Sequence, residues 1–259
     1  EKVLYVPAGL TGPGDITGKF KFTLAPVGNT PMPAANVITS GASGATVSFG
    51  SITYTTPGDY SYKITESGIV SGVTNDAAAA SGKTVTIHVT DNGEGKLVAT
   101  INGDSADDDA TVFTNTYGIT TPATATIPVE KSLTVPAGLT GPASVAGKFT
   151  FTLTAATEGA PMPATGGDVV TNPDADGGTA SFGAIEFTAP GTYVYTVTET
   201  GSADGVTNDT TAAKDVTVTV TDNGDGTLTA SSTSTADDPL TFTNTYGITT
   251  PATATIPVE

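Results

Sequence analysis

The chain has 259 residues, with 26 acidic side chains against 9 basic ones, a net charge of −17 at pH 7, and no cysteine or tryptophan. A pI near 4.1 argues against nucleic-acid binding, because neutralising phosphates requires a basic surface. The lack of cysteine excludes disulfides and thiolate metal sites, and the single histidine, His88, excludes a metal centre built on several histidines. We expect no metal and no cofactor. No stretch approaches the ~20 apolar residues that a membrane-spanning helix needs, so no membrane insertion is expected in this piece.

The predicted elements occur twice in the same order. Ile119–Glu130 reads ITTPATATIPVE and recurs unchanged as Ile248–Glu259, and VPAGLTGP, VTDNG and FTNTYG also occur twice. Such self-similarity indicates a tandem repeat. We expect residues 1–118 to form one domain and residues 131–247 a second copy. Of the two identical segments, the first is expected to be a linker and the second the linker to a following repeat, as in a piece cut from a longer array.

The first predicted strand of each copy carries a lysine on its apolar face. In the second copy Lys131 is in phase with Leu133 and Val135, whereas Ser132 faces outward. Lys2 is the counterpart of Lys131 in the first copy. Each lysine is therefore expected to point into its domain.

A later strand carries a glutamate in the same way. Tyr60, Tyr62 and Ile64 share one face of their strand, and continuing that alternation places Glu66 inward. The second copy repeats the pattern and places Glu199 inward. An ionisable side chain on the apolar face of a strand is unusual and needs a partner.

The next strand alternates Val85, Ile87 and Val89 with polar residues, which is typical of a half-buried strand. Asn92-Gly93 follows and supplies residues that tolerate the positive φ of a tight hairpin turn. We expect about seven such strands per copy and no helix. The predicted fold class is all-β, with two tandem immunoglobulin-like β-sandwiches in a linear array.

The last strand places an asparagine inward. Phe113 and Tyr117 fix the inward face, and Asn115 lies between them; Asn244 repeats this in the second copy. Each domain thus directs one lysine, one glutamate and one asparagine into its core. For one such residue alone, a solvated strand end or a hydrogen bond to the backbone would be the simpler interpretation.

Three buried groups of this kind can react with one another. Burial favours the neutral amine and the neutral carboxylic acid. The amine can attack the asparagine carboxamide, which the acid polarises, and loss of ammonia leaves an amide bond between the first and last strands. A folded core holds the groups together at a high effective molarity, which helps a slow reaction to occur once.

The sequence resembles the streptococcal-type pilin isopeptide-linkage domain of Gram-positive surface proteins, which is close to the collagen-adhesin B-type fold. The resemblance rests on GKFKFTL and GKFTFTL, PGDYSYKITE and PGTYVYTVTE, and FTNTY in both copies. It implies that the glutamates are catalytic and that the lysines form the bond with the asparagines. The residues concerned are Lys2, Glu66 and Asn115 in the first copy and Lys131, Glu199 and Asn244 in the second.

The resemblance implies a structural function as a stalk or shaft repeat of a pilin or adhesin. It also implies an extracellular, cell-wall-anchored location, with neighbouring repeats of the same chain as partners and a host-surface ligand bound through other domains. The cross-link forms once within the molecule, so the protein is not expected to be an enzyme. The alternative is an adhesive module that binds host glycan or matrix protein through its loops, and a binding screen would distinguish it.

Other polar motifs have simpler interpretations. The turn beginning at Asp91 resembles the start of a calcium loop but lacks the bidentate glutamate and the flanking helices. The acidic residues 104–109 and Asp237-Asp238 are expected to be solvated loops, with weak calcium binding as the alternative. His88 is expected to be exposed on its strand. Asn208-Asp209-Thr210 fits a glycosylation sequon, for which a bacterial surface protein has no use.

Overall fold

The computed structural model describes residues 1–101, 111–173 and 178–258. These residues form strands, turns and loops, and they include no helix that could cross a membrane. The chain divides into two compact units, one of Glu1–Thr120 with Asp222–Thr227, the other of Thr121–Thr221 with Leu228–Glu259.

The first unit is built on two sheets. An antiparallel sheet has the strand order β3-β2-β4-β6-β7, and a smaller sheet has the order β1-β8-β5, in which β1 and β8 are parallel. The strands are β1 (Lys2–Tyr5), β2 (Lys21–Pro26), β3 (Val37–Thr39), β4 (Gly58–Ser67), β5 (Val73–Thr74), β6 (Lys83–Asp91), β7 (Leu97–Ile101) and β8 (Phe113–Tyr117).

The core of the first unit lies where the alternating apolar residues of both sheets meet. Phe22 of β2 and Phe113 of β8 pack with their ring centroids 5.5 Å apart, and Tyr62 and Val85 are buried in the same cluster. The hairpin between β6 and β7 turns at Gly93, whose φ of 77° is the left-handed conformation that favours glycine. The alternation of apolar and polar residues therefore places one face of each strand in the core.

The second unit repeats this plan with more strands. Its sheets have the orders β12-β11-β15-β17-β18, β13-β10-β19-β16 and β14-β9. The strands are β9 (Ala123–Ala125), β10 (Pro128–Thr134), β11 (Phe149–Ala155), β12 (Val169–Thr171), β13 (Gly178–Ser181), β14 (Ile185–Phe187), β15 (Gly191–Gly201), β16 (Val206–Thr207), β17 (Ala213–Asp222), β18 (Leu228–Ser232) and β19 (Leu240–Tyr246).

The predicted all-β class with two tandem sandwiches is confirmed, and the strands outnumber the seven expected per copy. The additional strands include β9, and β10 begins at Pro128, so part of the segment expected to be a linker is strand. In the second unit β13 and β14 pair with β10 and β9. The corresponding residues of the first unit, 45–54, contain only an isolated bridge between Ala45 and Lys2.

Candidate functional site

The lysine and asparagine of the first unit lie on neighbouring strands. β1 and β8 pair in parallel with Lys2 opposite Phe113 and Leu4 opposite Asn115. Lys2 and Asn115 are thus two positions apart along the ladder and face the same side of the sheet. Glu66 lies on β4 of the facing sheet, opposite Phe22 of β2. The three side chains meet across the core from different strands.

Lys2, Glu66 and Asn115 are all buried. The Lys2 Nζ lies 2.9 Å from Glu66 Oε1, and both side chains have 0% exposure. The Asn115 Nδ2 donates to the same carboxylate oxygen at 3.5 Å. The Lys2 Nζ also donates to the Phe113 carbonyl at 3.2 Å and lies 4.7 Å from the centroid of the Phe20 ring. The amine, the acid and the carboxamide therefore share one enclosed space.

The second unit has the same arrangement. Its lysine, glutamate and asparagine are again buried. The Lys131 Nζ lies 3.1 Å from Glu199 Oε1 and donates to the Phe242 carbonyl at 3.1 Å. β10 and β19 pair in parallel with Leu133 opposite Asn244, as Leu4 is opposite Asn115 in the first unit. The site is therefore a property of the repeat.

Burial governs the charge of the two lysines. It lowers the pKa of Lys2 below its usual range, although the hydrogen bond and the charge of Glu66 oppose the shift. The pKa of Lys131 is lowered for the same reason, against the same opposition from Glu199. A lowered pKa reduces the free energy needed to convert the lysine ammonium into the neutral, nucleophilic amine.

Both buried glutamates have carboxylate oxygens without a hydrogen-bond partner. Glu66 Oε2 and both carboxylate oxygens of Glu199 are buried and accept no hydrogen bond in the described ranges, although the Lys131 Nζ lies 3.1 Å from Glu199 Oε1. An unpartnered buried oxygen is costly when it carries charge.

The carboxamide of Asn115 has a fixed orientation. The backbone N–H of Asp76 donates to Asn115 Oδ1 at 2.7 Å, and Asn115 Nδ2 donates to Asn75 Oδ1 at 3.2 Å. Because a backbone N–H can only donate, the oxygen of the carboxamide must face Asp76. The nitrogen of the carboxamide consequently faces Asn75 and Glu66.

The carboxamide of Asn244 is held in the same way. The backbone N–H of Asp209 donates to Asn244 Oδ1 at 2.7 Å, and Asn244 Nδ2 donates to Asn208 Oδ1 at 3.5 Å. A donor at this distance lies where negative charge develops when a carbonyl carbon is attacked. The structure thus differs from the expectation that the glutamate polarises the carbonyl, because in the first unit Glu66 contacts the nitrogen and a backbone N–H contacts the oxygen.

A second ion pair holds the loop that carries this N–H. In the first unit Lys83 Nζ lies 2.9 Å from Asp76 Oδ2, which also accepts from the Thr114 N–H of β8 at 2.9 Å. Lys83 further donates to the Val112 carbonyl and lies 4.8 Å from the centroid of the Phe113 ring. The Asp76 carboxylate therefore ties the loop to the backbone of β8 at Thr114, directly before Asn115, and to Lys83 of β6.

The second copy keeps this ion pair between Lys214 and Asp209, 2.8 Å apart. Burial raises the pKa of Asp209, but hydrogen bonds from Lys214, Thr211 and Thr243 outweigh burial and lower it to about 2. The pKa of Asp76 is also lowered: burial raises it, and hydrogen bonds led by that from Lys83 outweigh the burial. Both aspartates therefore stay ionised across the physiological pH range.

The alternation of apolar residues did not identify these loop residues, because they lie outside the long strands. A signal is nevertheless present in the repeat: GVTND occurs as Gly72–Asp76 and as Gly205–Asp209, and a lysine follows in each copy. Asn208 and Asp209, which also begin the sequon-like triplet, belong to this site.

The other candidate residues lie apart from the site. His88 is exposed on β6 and contacts Asp59, which is opposite it on β4. The Asp91 side chain accepts from the Gly93 N–H at 3.0 Å within the hairpin turn. In the described ranges no group of three or more His, Asp or Glu side chains is arranged to hold a metal ion. The acidic residues 104–109 lie outside the described residues.

Comparison with known proteins gives one family and several solved structures. The similar structures include the major pilin T-13 of Streptococcus pyogenes, with 16% identity, 95% coverage of each chain and a TM-score of 0.30. GBS52, a minor pilin of Streptococcus agalactiae, has 12% identity, 98% coverage of each chain and a TM-score of 0.31. A C-terminal fragment of the pilus adhesin SpaC of Lactobacillus rhamnosus GG has 14% identity, a TM-score of 0.24, and coverage of 97% of this chain and 98% of its own.

These TM-scores are too low to carry an argument, and the comparison with curated protein sequences gives no significant match. The family comparison is decisive. The model of the FctA family, described as the Spy0128-like isopeptide containing domain, matches residues 1–118 and 127–247, once in each copy. The chain therefore belongs to the family of Spy0128-like isopeptide-containing domains.

Proposed function

We propose that the chain is a structural repeat of a pilin or adhesin on the surface of a Gram-positive bacterium, anchored to the cell wall through the protein to which it belongs. We further propose that each copy is stabilised by an isopeptide bond, between Lys2 and Asn115 in the first and between Lys131 and Asn244 in the second. One observation carries the proposal: in both copies the buried lysine lies within 3.1 Å of a buried glutamate, and the asparagine of each copy is completely buried as well.

The chemistry begins with a proton transfer in the first copy. The Lys2 ammonium gives one proton to Glu66, which leaves a neutral amine and a neutral acid; the lowered pKa of Lys2 supports this step. The amine attacks Cγ of Asn115, and the carbonyl electrons move to Oδ1. The Asp76 N–H, 2.7 Å from that oxygen, stabilises the negative charge.

The intermediate then loses ammonia. Glu66 carries a proton from the attacking nitrogen to Nδ2, which it already contacts at 3.5 Å. The Cγ–Nδ2 bond breaks, the carbonyl re-forms, and the leaving group departs as ammonia. The proton first taken from the ammonium stays on Glu66 or leaves with the ammonia as ammonium. Each bond therefore forms once and releases one ammonia, which is a maturation step and not enzymatic turnover.

The position of the bond suits a domain that bears tension. Lys2 is on the first strand of the first unit, and Asn115 is on its last strand, parallel to the first. A covalent bond between them would transmit force applied at the chain ends and leave the intervening strands unloaded. A surface fibre that extends from a cell under flow would benefit from such a path.

Intact mass spectrometry tests the proposal. Two bonds remove two ammonia molecules, so the chain should weigh about 34 Da less than its sequence mass. We expect Glu66→Ala to restore about 17 Da and Glu199→Ala to restore the other 17 Da. Glu186→Ala, on the exposed face of β14, is the matched control and should keep the full deficit. A native chain with the unmodified sequence mass would contradict the proposal.

A further inference from the structure

A second asparagine lies beside the reacting asparagine in each copy, and the proposed reaction gives it no part. It is Asn75 in the first unit and Asn208 in the second, and both side chains are half-buried. Asn75 Oδ1 accepts from Asn115 Nδ2 at 3.2 Å, and Asn208 Oδ1 accepts from Asn244 Nδ2 at 3.5 Å. In the proposed reaction, Nδ2 is the nitrogen that leaves as ammonia. The second asparagine therefore contacts a reacting atom.

A backbone carbonyl sets the orientation of the Asn75 carboxamide. Asn75 Nδ2 donates to the Gly68 carbonyl at 3.0 Å. Because a carbonyl oxygen can only accept, the nitrogen of Asn75 must face Gly68 and its oxygen must face Asn115. The opposite orientation would bring two oxygens together at Gly68 and two amide nitrogens together at Asn115.

These contacts form one chain of hydrogen bonds with a fixed direction. The Asp76 N–H donates to Asn115, and Asn115 donates to Asn75. Asn75 in turn donates to the Gly68 carbonyl. The chain of bonds begins at a backbone donor and ends at a backbone acceptor, and neither group can reverse its role. Both carboxamides are therefore held in one orientation, and hydrogen bonds in such a series strengthen one another.

The second unit contains the same series of hydrogen bonds. The Asp209 N–H donates to Asn244 Oδ1 at 2.7 Å, and Asn244 donates to Asn208. Asn208 Nδ2 donates to the Gly201 carbonyl at 3.0 Å. The arrangement is therefore a property of the repeat, as the lysine–glutamate pair is.

The glycine at the end of this series is required by its surroundings. Gly68 has a φ of 132°, and a Cβ at this position would collide with the Lys19 carbonyl oxygen, so only glycine fits. Gly68 directly follows β4, two residues after Glu66. The segment that carries the glutamate therefore also supplies the carbonyl that orients Asn75. Gly201, with a φ of 110°, is the counterpart in the second unit.

We propose that Asn75 and Asn208 are further catalytic residues of the cross-linking reaction, and that each stabilises the leaving nitrogen through its side-chain oxygen. The inference rests on the proposed function, because this nitrogen leaves only if the cross-link forms. It deepens that function by assigning a group to the departure of ammonia, whereas the Asp76 N–H acts on the carbonyl oxygen.

The contact gains strength as the intermediate breaks down. Glu66 gives one proton to Nδ2, the Cγ–Nδ2 bond breaks with its electron pair on nitrogen, and the carbonyl of Asn115 re-forms from Oδ1. The nitrogen leaves as ammonia, with two hydrogens of its own and one from Glu66. Nδ2 gains positive charge as it is protonated, and a hydrogen bond from a charged donor is about twice as strong as one from a neutral donor. Asn75 Oδ1 therefore binds the transition state more tightly than the ground state, which accelerates the step.

The test compares Asn75→Leu with the unsubstituted chain, because leucine has nearly the shape of asparagine and no hydrogen-bonding atom. We expect the first unit to lose its ammonia at least about tenfold more slowly, while the second unit reacts at its usual rate. Intact mass followed over time after expression measures both losses. Asn75→Ala removes the same oxygen with a smaller side chain and should slow the first unit as much, and Asn208→Leu should slow only the second unit. Thr74→Ala, an exposed substitution next to Asn75, is the matched control and should change neither rate.

Nuclear magnetic resonance separates loss of the acceptor from disturbance of the loop. Lys2→Met removes the nucleophile and keeps the first unit unreacted, so that the NH₂ group of Asn115 can be observed. One Nδ2 proton should resonate downfield because Asn75 accepts it, and it should move upfield in the Lys2→Met/Asn75→Leu chain. The Asp76 amide proton should keep its resonance in both chains. A displaced Asp76 resonance would assign the slower reaction to a disturbed loop and would overturn the proposal.

The outcomes distinguish this inference from the proposed function. An unsubstituted chain without the mass deficit would contradict the cross-link, and this inference with it. If the unsubstituted chain shows the full deficit and Asn75→Leu loses both ammonia molecules at unchanged rates, the role of Asn75 is overturned and the cross-link stands. An Nδ2 proton with the same resonance in the two Lys2→Met chains would also overturn it.

Discussion

The carboxamide of Asn115 is held at both ends by one short loop. The Asp76 N–H binds its oxygen and the Asn75 side chain binds its nitrogen. The Asp76 carboxylate holds the loop to β6 through Lys83 and to β8 through the Thr114 N–H. In the proposed reaction, the loop would therefore fix the carbon that is attacked, the oxygen that receives charge and the nitrogen that leaves. Glu66 would then serve the proton transfer between the two nitrogens.

Asp76→Pro should slow formation of the bond in the first copy, because proline lacks the N–H that faces Asn115 Oδ1. Loss of one such donor reduces reaction rates by about 10²- to 10³-fold. The measurement is the fraction of molecules in which the first copy has not yet lost one ammonia, about 17 Da. This fraction is followed over time after expression. Asp76→Ala keeps the N–H and should retain more of the rate, and the bond of the second copy is an internal control. An unchanged rate in Asp76→Pro would exclude a role for this N–H.

The ion pair of Asp209 with Lys214 predicts an acid-sensitive contribution to stability. The pKa of Asp209 is about 2 in the folded chain against an ordinary value of 3.8. A lowered pKa means that the contribution is present above pH ~4 and is lost as the pH falls towards 2. Thermal midpoints of the second unit should therefore fall over this range, and Asp209→Asn should flatten the fall.

Asp215→Asn, an exposed substitution on β17, should leave the pH dependence as in the unsubstituted chain. If Asp209→Asn shows the same acid dependence as the unsubstituted chain, other carboxyl groups must be responsible.

Packing against neighbouring strands determines whether the sequence of segment 119–130 forms strand. Its identical counterpart, 248–259, is exposed and forms no strand over its described residues, whereas Ile127 and Val129 are buried. The difference is the presence of β13 and β14, to which the first segment adds. β-propensity alone does not produce this contrast, because burial and cross-strand packing supply most of it.

Ile127→Ala should destabilise the second unit, because it removes buried methyl groups and leaves a cavity. The expected loss is about 2–5 kcal/mol in the free energy of unfolding. Ile256→Ala makes the same change in the identical exposed sequence and should alter stability by less than about 0.5 kcal/mol. Denaturant unfolding of both variants measures the difference. Equal effects would contradict the burial of Ile127.

Alternation along the strands was sufficient to place Lys2, Glu66 and Asn115 on inward faces, since side-chain direction in a strand follows a period of two. It could not identify the Asp76 N–H, because every residue except proline has such a donor and only the loop conformation directs this one. It also could not predict that only the first copy of ITTPATATIPVE forms strand, since the two copies have the same sequence and differ only in their tertiary contacts. The roles of the six site residues in a cross-link stay a prediction.

Taken as a whole, the chain repeats one site in two units, each with its own lysine, glutamate and asparagine. Each proposed bond closes a loop of ~100 residues, which by analogy with a disulfide stabilises a domain by about 4–5 kcal/mol. Few bulky core residues are present, with 9 Phe, 8 Tyr and no Trp, so a covalent bond would supply a large share of the stability.

Asn115→Ala and Asn244→Ala should each remove one bond and leave the lysine–glutamate pair in place. Each variant should lose about 4–5 kcal/mol of unfolding free energy in its own unit, together with resistance to proteolysis. The two losses should add in the double variant, because the sites share no residue. Unchanged stability after a confirmed loss of the bond would refute the mechanical role and leave the chemistry intact.

The most direct measurement is tandem mass spectrometry of a proteolytic digest of the native chain. The account predicts one branched peptide that joins Lys2 to Asn115 and another that joins Lys131 to Asn244, each about 17 Da lighter than the sum of its two linear parts. Recovery of the four segments as separate linear peptides of full mass would contradict it.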